Sequence, residues 1–256
     1  MEYSYDSINW INVKIPSIEG EITELTIPKN SRLYLRGINN RLGGWNIHCL
    51  KNYEIGGNLG TLTHKYCYKE LEPKTHRTFT QLFTEIYHTS HTLIYTHDLY
   101  IPFNYSNHVD YSNLFQYCYN LLTTPRIFPF KYWYNTAFDN MFQSCNKIQT
   151  APEIMCEDLT LCGGSTLFNG CTSLQYIKVH WKKMNLSVLQ VINSSNNMLY
   201  NWIYGAISPT GTFLLPIDAE WNPENYRGAC GADYGVIIPT GWEIKYFNSE
   251  TNEIIE

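Results

Sequence analysis

Four copies of one short pattern occupy the middle of the chain and limit what it can fold into. Aligned on phenylalanine, they read "TFTQLFTEI", "DYSNLFQYCYNLLTTP", "AFDNMFQSCNKIQTAP" and "GSTLFNGCTSLQYI", with anchors at Phe83, Phe115, Phe142 and Phe168, spaced 32, 27 and 26 residues apart. Apolar or small residues recur at i, i+3, i+4 and i+7 in each copy: Phe79/Leu82/Phe83/Ile86, Tyr111/Leu114/Phe115/Cys118, Phe138/Met141/Phe142/Cys145 and Gly164/Leu167/Phe168/Cys171. That spacing predicts one stripe of a short helix of about two turns. Asp110 and Thr136 stand as N-caps, and Thr136 with Asp139 has the form of a capping box. A further apolar residue follows each stripe in a short extended segment, and Pro125 and Pro152 end two of these segments. A unit of this size cannot bury its apolar face alone, so the copies must stack.

The expected fold is therefore α+β, a leucine-rich-repeat-like solenoid of short helix/strand repeats over residues 73–180. Its first copy is degenerate, as terminal repeats commonly are. Residues 20–72 read as an N-terminal β-rich cap, with "EITELTI", "SRLYLRG" and "TLTHKYCY" separated by turn signals. Residues 181–256 read as a C-terminal capping region, partly helical at "KKMNLSVLQVIN" and closed by the strands "GTFLLP" and "GWEIKYF". Residues 1–19 are left as a tail that would dock the chain to a particle or to sister chains.

Composition narrows the function. The net charge is -5, and no Lys/Arg cluster exceeds the pair Lys182-Lys183, so the footprint of a nucleic-acid binder is missing. No run of about 20 apolar residues could span a bilayer. The N-terminus "MEYSYDSINWINVKIPSIEGEI" has acidic residues where an export signal needs basic ones, which predicts a chain made and kept in a cytoplasm. Aromatic residues make up 15% of the chain, 21 of them Tyr, and an amphipathic ring of that kind suits a recognition surface.

Cys118, Cys145 and Cys171 occupy one position of the repeat. Stacking would align them, with Phe115, Phe142 and Phe168, as a ladder facing the core, because free cysteine behaves as a small hydrophobe. No repeat places a histidine beside its cysteine, so a thiol nucleophile is not indicated. The eight cysteines contain no CxxC, and no close Cys/His quartet suggests zinc. His88 and His91 in "HTSH", with His97 and His108, form a loose cluster that reads as solvated loop, with a metal site as the other reading. Asp218, Glu220 and Glu224, and separately Glu153, Glu157 and Asp158, read as loop charge because nothing aligns them across a cleft as glycoside hydrolysis requires. No phosphate loop, GxSxG elbow or HExxH is present. No catalytic residue, metal or cofactor is assigned. The aromatic stretch "FPFKYWYN" is the best recognition candidate, with Tyr132, Trp133 and Tyr134 as ligand-binding residues in an inter-repeat loop and packing of half of these rings beneath the loop as the other reading.

The phrase "MFQSCNKIQTAPEI", followed by "LFNGCTSLQYIKV" and later by "GTF" and "IPTGWEIKY", resembles the BspA-type leucine-rich-repeat-like surface proteins of Bacteroidetes and the related repeat proteins of their crAss-like gut phages. The correspondence runs over about residues 30 to 248. It is strongest from Leu114 to Leu174 and at Gly211-Thr212-Phe213 and Gly241-Trp242, and it departs at the first repeat and the loop from 216 to 239. The resemblance implies surface display and adhesion on a cell or a virion. With no export signal in the sequence, the expected function is a non-enzymatic virion structural protein, a head or tail fibre or fibre-associated subunit assembled in the host cytoplasm. Expected partners are other virion proteins, sister subunits in a homo-oligomer such as a trimer, and a host-surface glycan or protein. The alternatives are a bacterial cell-surface adhesin and a polysaccharide-degrading enzyme.

Overall fold

The structure is a computed structural model that describes residues 1–14, 23–37, 46–62, 70–71, 79–86, 89–101, 103–104, 110–128, 137–159, 165–184, 201–205, 207–228 and 236–255. Among these residues there is no α-helix, and helical backbone is confined to two 3-10 turns, Leu59–Leu62 and Pro223–Tyr226. The expected α+β class, with its helix/strand repeats, is thus corrected to a fold of short strands and tight turns.

The correction has a clear physical origin in the backbone. In the copy around Phe115, the N–H groups of Leu114, Gln116 and Cys118 donate within the chain to the carbonyls of Tyr111, Asn113 and Phe115, three residues back. The intervening N–H groups of Tyr111, Asn113, Phe115 and Tyr117 point across to the carbonyls of Ala137, Asp139, Met141 and Gln143 in the next copy. An α-helix would direct all of them four residues back along its own chain. The alternation needs left-handed backbone every fourth residue, at Asn113 and Tyr117, at Asn140 and Ser144, at Thr166 and Gly170, and at Asn201 and Gly205. Such residues break any right-handed helix, and Asn and Gly tolerate the conformation best. Two chained turns nevertheless put i, i+3, i+4 and i+7 on one side: Tyr111, Leu114, Phe115 and Cys118 are all fully buried.

The copies stack in register. Phe83 lies on Phe115 with ring centroids 5.8 Å apart, Phe115 on Phe142 at 5.3 Å, and Phe142 on Phe168 at 5.5 Å, with interplanar angles between 8° and 18°. A parallel column runs from Phe79 through Tyr111 to Phe138. Offset stacks of this kind contribute beyond the area they bury. At one end, the Ile47 N–H donates to the Leu82 carbonyl, and the Asn46 amide reaches the carbonyls of Gln81 and Thr84. At the other, Phe168 and Gly170 donate to Trp202 and Tyr204, so the segment "NWIYG" from 201 to 205 forms one more rung. Ile203 takes the place of the phenylalanine, 35 residues after Phe168.

A second surface of the stack is sheet. Tyr176–Lys178, Gly211–Pro216 and Trp242–Phe247 lie parallel in that order, and Ile254–Ile255 closes the edge antiparallel to Trp242–Phe247. The strands "GTFLLP" and "WEIKYF" are thus direct neighbours, with Gly211 opposite Trp242. Further short parallel pairs join Tyr53–Glu54 to Leu93–Tyr95, Gly57–Asn58 to Leu99–Tyr100, and Ile127–Phe128 to Glu153–Ile154. Pro125 and Pro152 are buried just before Ile127–Phe128 and Glu153–Ile154, where the chain turns from one surface to the next.

The first residues pair with the body of the chain. Glu2–Ser4 lies between Ile11–Asn12 and Tyr34–Arg36 in an antiparallel sheet. Arg36 ties it down, with Nε 2.7 Å from the Glu2 carboxylate and its guanidinium 3.7 Å from the Trp10 ring centroid.

Candidate functional site

The repeated cysteines line the interior. Cys118, Cys145 and Cys171 are fully buried, and each thiol donates to the carbonyl oxygen of the phenylalanine one copy earlier: Phe83 at 3.3 Å, Phe115 at 3.1 Å and Phe142 at 3.1 Å. Burial pushes all three thiols well above their ordinary range. A thiol that does not ionise is a poor nucleophile and a poor metal ligand, so this ladder works as packing. The five described cysteines are unpaired.

Tyr132, Trp133 and Tyr134 lie outside the described residues, as do His88 and His108. The two other histidines of that cluster are described and separate. His97 sits on the surface with Nε2 3.2 Å from Asp98, while His91 turns inward toward Glu85.

Glu85 is the feature that sequence reasoning missed. It is fully buried, and Oε1 accepts from the backbone N–H groups of Thr92 at 2.7 Å and Leu93 at 3.0 Å. Oε2 lies 3.6 Å from His91 Nδ1, and neither atom has a hydrogen-bond partner. His48 Nε2 lies 3.8 Å from Oε1 and is within hydrogen-bond distance of the Ser90 carbonyl and the Thr92 hydroxyl. The arrangement fastens the segment after the first copy to the N-terminal region. Its sequence signal is a carboxylate where the later copies carry Tyr117, Ser144 and Gly170. Among the described residues, no group of three or more His, Cys, Asp or Glu side chains could hold a metal ion.

Four of the loop carboxylates are tied to cations. Asp218 pairs with Lys182 at 2.9 Å, Glu220 with Lys183 at 3.6 Å and Glu224 with Arg227 at 2.8 Å. Glu153 Oε1 is 2.7 Å from both Lys178 Nζ and His180 Nε2, and the hydrogen bond from His180 leads the interactions that pull its carboxyl down to about 2. These pairs brace the C-terminal strands, since Lys178 also reaches Asn252 and lies 4.7 Å from the Phe247 ring centroid. No helix among the described residues is long and apolar enough to cross a membrane.

What varies from rung to rung is the chain between rungs. In the copies around Phe115, Phe142 and Phe168 the inward positions repeat as Leu or Met, Phe and Cys, whereas successive anchors from Phe83 to Ile203 are 32, 27, 26 and 35 residues apart. Compared with known proteins, the chain matches no family model, no curated protein and no solved structure.

Proposed function

We propose that this chain is a non-enzymatic display protein of a phage particle, a head or tail fibre or fibre-associated subunit. Its stacked rungs present outward segments to a glycan or protein of the host surface. The observation that carries the reading is the division of labour within each copy. Inward residues are spent on a ladder of stacked rings and unreactive thiols, while the connecting segments differ in length and sequence. A stack of this kind tolerates insertions between rungs because each rung contacts its neighbours alone. The likeness of "MFQSCNKIQTAPEI" to the BspA-type proteins and their phage counterparts supports the same reading.

On this reading Tyr132, Trp133 and Tyr134 are binding residues, and sister chains and other particle proteins are the partners. Purified chain should bind host cells or extracted envelope saturably, and Trp133→Ala should weaken that binding at least fivefold. Failure of the unmodified chain to bind host envelope would count against the proposal, and full binding by Trp133→Ala would remove that residue from the site.

A further inference from the structure

One continuous string of largely exposed side chains crosses from one rung to the next. Tyr95 is exposed on the strand Leu93–Tyr95, and its ring meets the His97 ring edge to face with centroids 6.5 Å apart. His97 Nε2 lies 3.2 Å from Asp98 Oδ2, and Asp98 Oδ1 lies 3.4 Å from Arg126 Nη2 on the next rung. The side chains of Asp98 and Arg126 are 65% and 73% exposed, so water occupies most of their hydrogen-bonding capacity. Leu122, also exposed, sits beside this strand, its N–H donating to the Ile94 carbonyl at 2.8 Å. On the other side lie two glycines, Gly56, where an added Cβ would stand 3.4 Å from the Asp98 Cβ, and Gly57. The Gly57 N–H donates to the Asp98 carbonyl, a Cβ on Gly57 would meet nothing within 4 Å, and its φ of +85° disfavours any other residue.

We infer that Tyr95, His97, Asp98 and Arg126 form a binding site for a neutral pyranose sugar; the inference rests on the display reading above and names a ligand class for it. The chemistry matches term by term. A phenol ring and the neighbouring Leu122 offer an apolar platform for the C–H face of a sugar ring, and a phenol keeps a polar tip at its rim. A carboxylate and a guanidinium side by side can accept from and donate to vicinal hydroxyls with charge-assisted hydrogen bonds. The Asp98 and Arg126 charges offset each other, and Glu54, paired with Tyr95 on the adjoining strand, adds a negative one, so no local field favours an anionic ligand. Sugar hydroxyls would replace loosely held water at these groups at small cost.

Ligand-observed saturation-transfer NMR on the purified full chain tests this with methyl pyranosides of glucose, galactose and mannose, and with N-acetylneuraminic acid as the charged comparison. At least one neutral pyranoside should show transfer and the acid none. Tyr95→Ala and Arg126→Ala should each weaken binding tenfold or more. Arg126 is exposed enough that its replacement leaves the fold intact, and Tyr204→Ala, exposed on another rung, should change nothing. Absence of transfer from every neutral pyranoside, preference for the acid, or unchanged affinity in both site variants would overturn the inference. Cell binding separates the two readings. If Tyr95→Ala binds host cells as fully as the unmodified chain, the sugar site falls while the display function stands. If the unmodified chain binds pyranosides but no host envelope, the display function falls alone.

Discussion

The thiol of Cys145 donates to the carbonyl oxygen of Phe115 at 3.1 Å, across the boundary between two copies of the repeat. The same oxygen accepts the backbone N–H of Cys118 within its own copy. One carbonyl thus closes a turn and joins two rungs, and it does so beneath stacked rings. Cys145→Ala should lower unfolding stability by about 1–2 kcal/mol, the loss of one buried hydrogen bond and a little packing. Chemical denaturation would measure it. In the native state Cys118, Cys145 and Cys171 should resist a disulfide-exchange reagent, and they should react together once the chain unfolds.

Asn140 holds a φ of 56° at the first left-handed position of its rung. Asn140→Gly should cost at most about 1 kcal/mol, because glycine adopts this backbone without steric cost and what is lost is the acceptor for the Thr166 hydroxyl. Asn140→Val should destabilise by about 1–2 kcal/mol, since a branched Cβ crowds the carbonyl there. Thermal melting of the pair separates the backbone requirement from any role of the amide. Equal melting temperatures for the two variants would refute the turn geometry.

Gly211 sits where a Cβ would come within 2.6 Å of both the Gln175 carbonyl oxygen and the Trp242 ring. Trp242 is itself fixed by a hydrogen bond from its indole nitrogen to the Ser208 carbonyl at 2.9 Å. Gly211→Ala should therefore cost about 1–3 kcal/mol through forced separation of neighbouring strands. A Trp242 fluorescence change before global unfolding would accompany it.

Glu153 links pH to the stability of the C-terminal strands. Its carboxyl is held at about 2, below the ordinary 4.5, by His180 and Lys178, so the folded state binds its proton less readily than the unfolded state. The contribution is complete above pH 4.5 and is lost as pH falls toward about 2. Glu153→Gln should flatten the acid limb of a stability–pH curve over that window.

Much of the burial pattern was legible in the sequence, and the backbone was not. Tyr111, Leu114, Phe115 and Cys118 share a side whether they ride on a helix or on two chained turns, so periodicity alone does not separate the two. The separating signal was present in Asn113 and Asn140, two residues before the phenylalanine of their copies, and in Gly170, two residues after it, all residues that tolerate left-handed backbone. Read as helix interior, they passed as neutral. The rung at 201–205 escaped because Trp202 and Ile203 replace the Leu-Phe or Met-Phe pair. Glu85 escaped because its partners, Thr92, Leu93 and His48, come from the following strand and the N-terminal region, which no local pattern connects. The strands at Gly211–Pro216 and Trp242–Phe247 were legible as β-rich runs between turn residues.

The central functional claim is display on a phage particle, and mass spectrometry of gradient-purified particles beside the host envelope fraction tests it most directly. Peptides of this chain are expected in the particle fraction at a stoichiometry that stays constant through repeated purification. Peptides confined to the host envelope, with none in the particles, would contradict it.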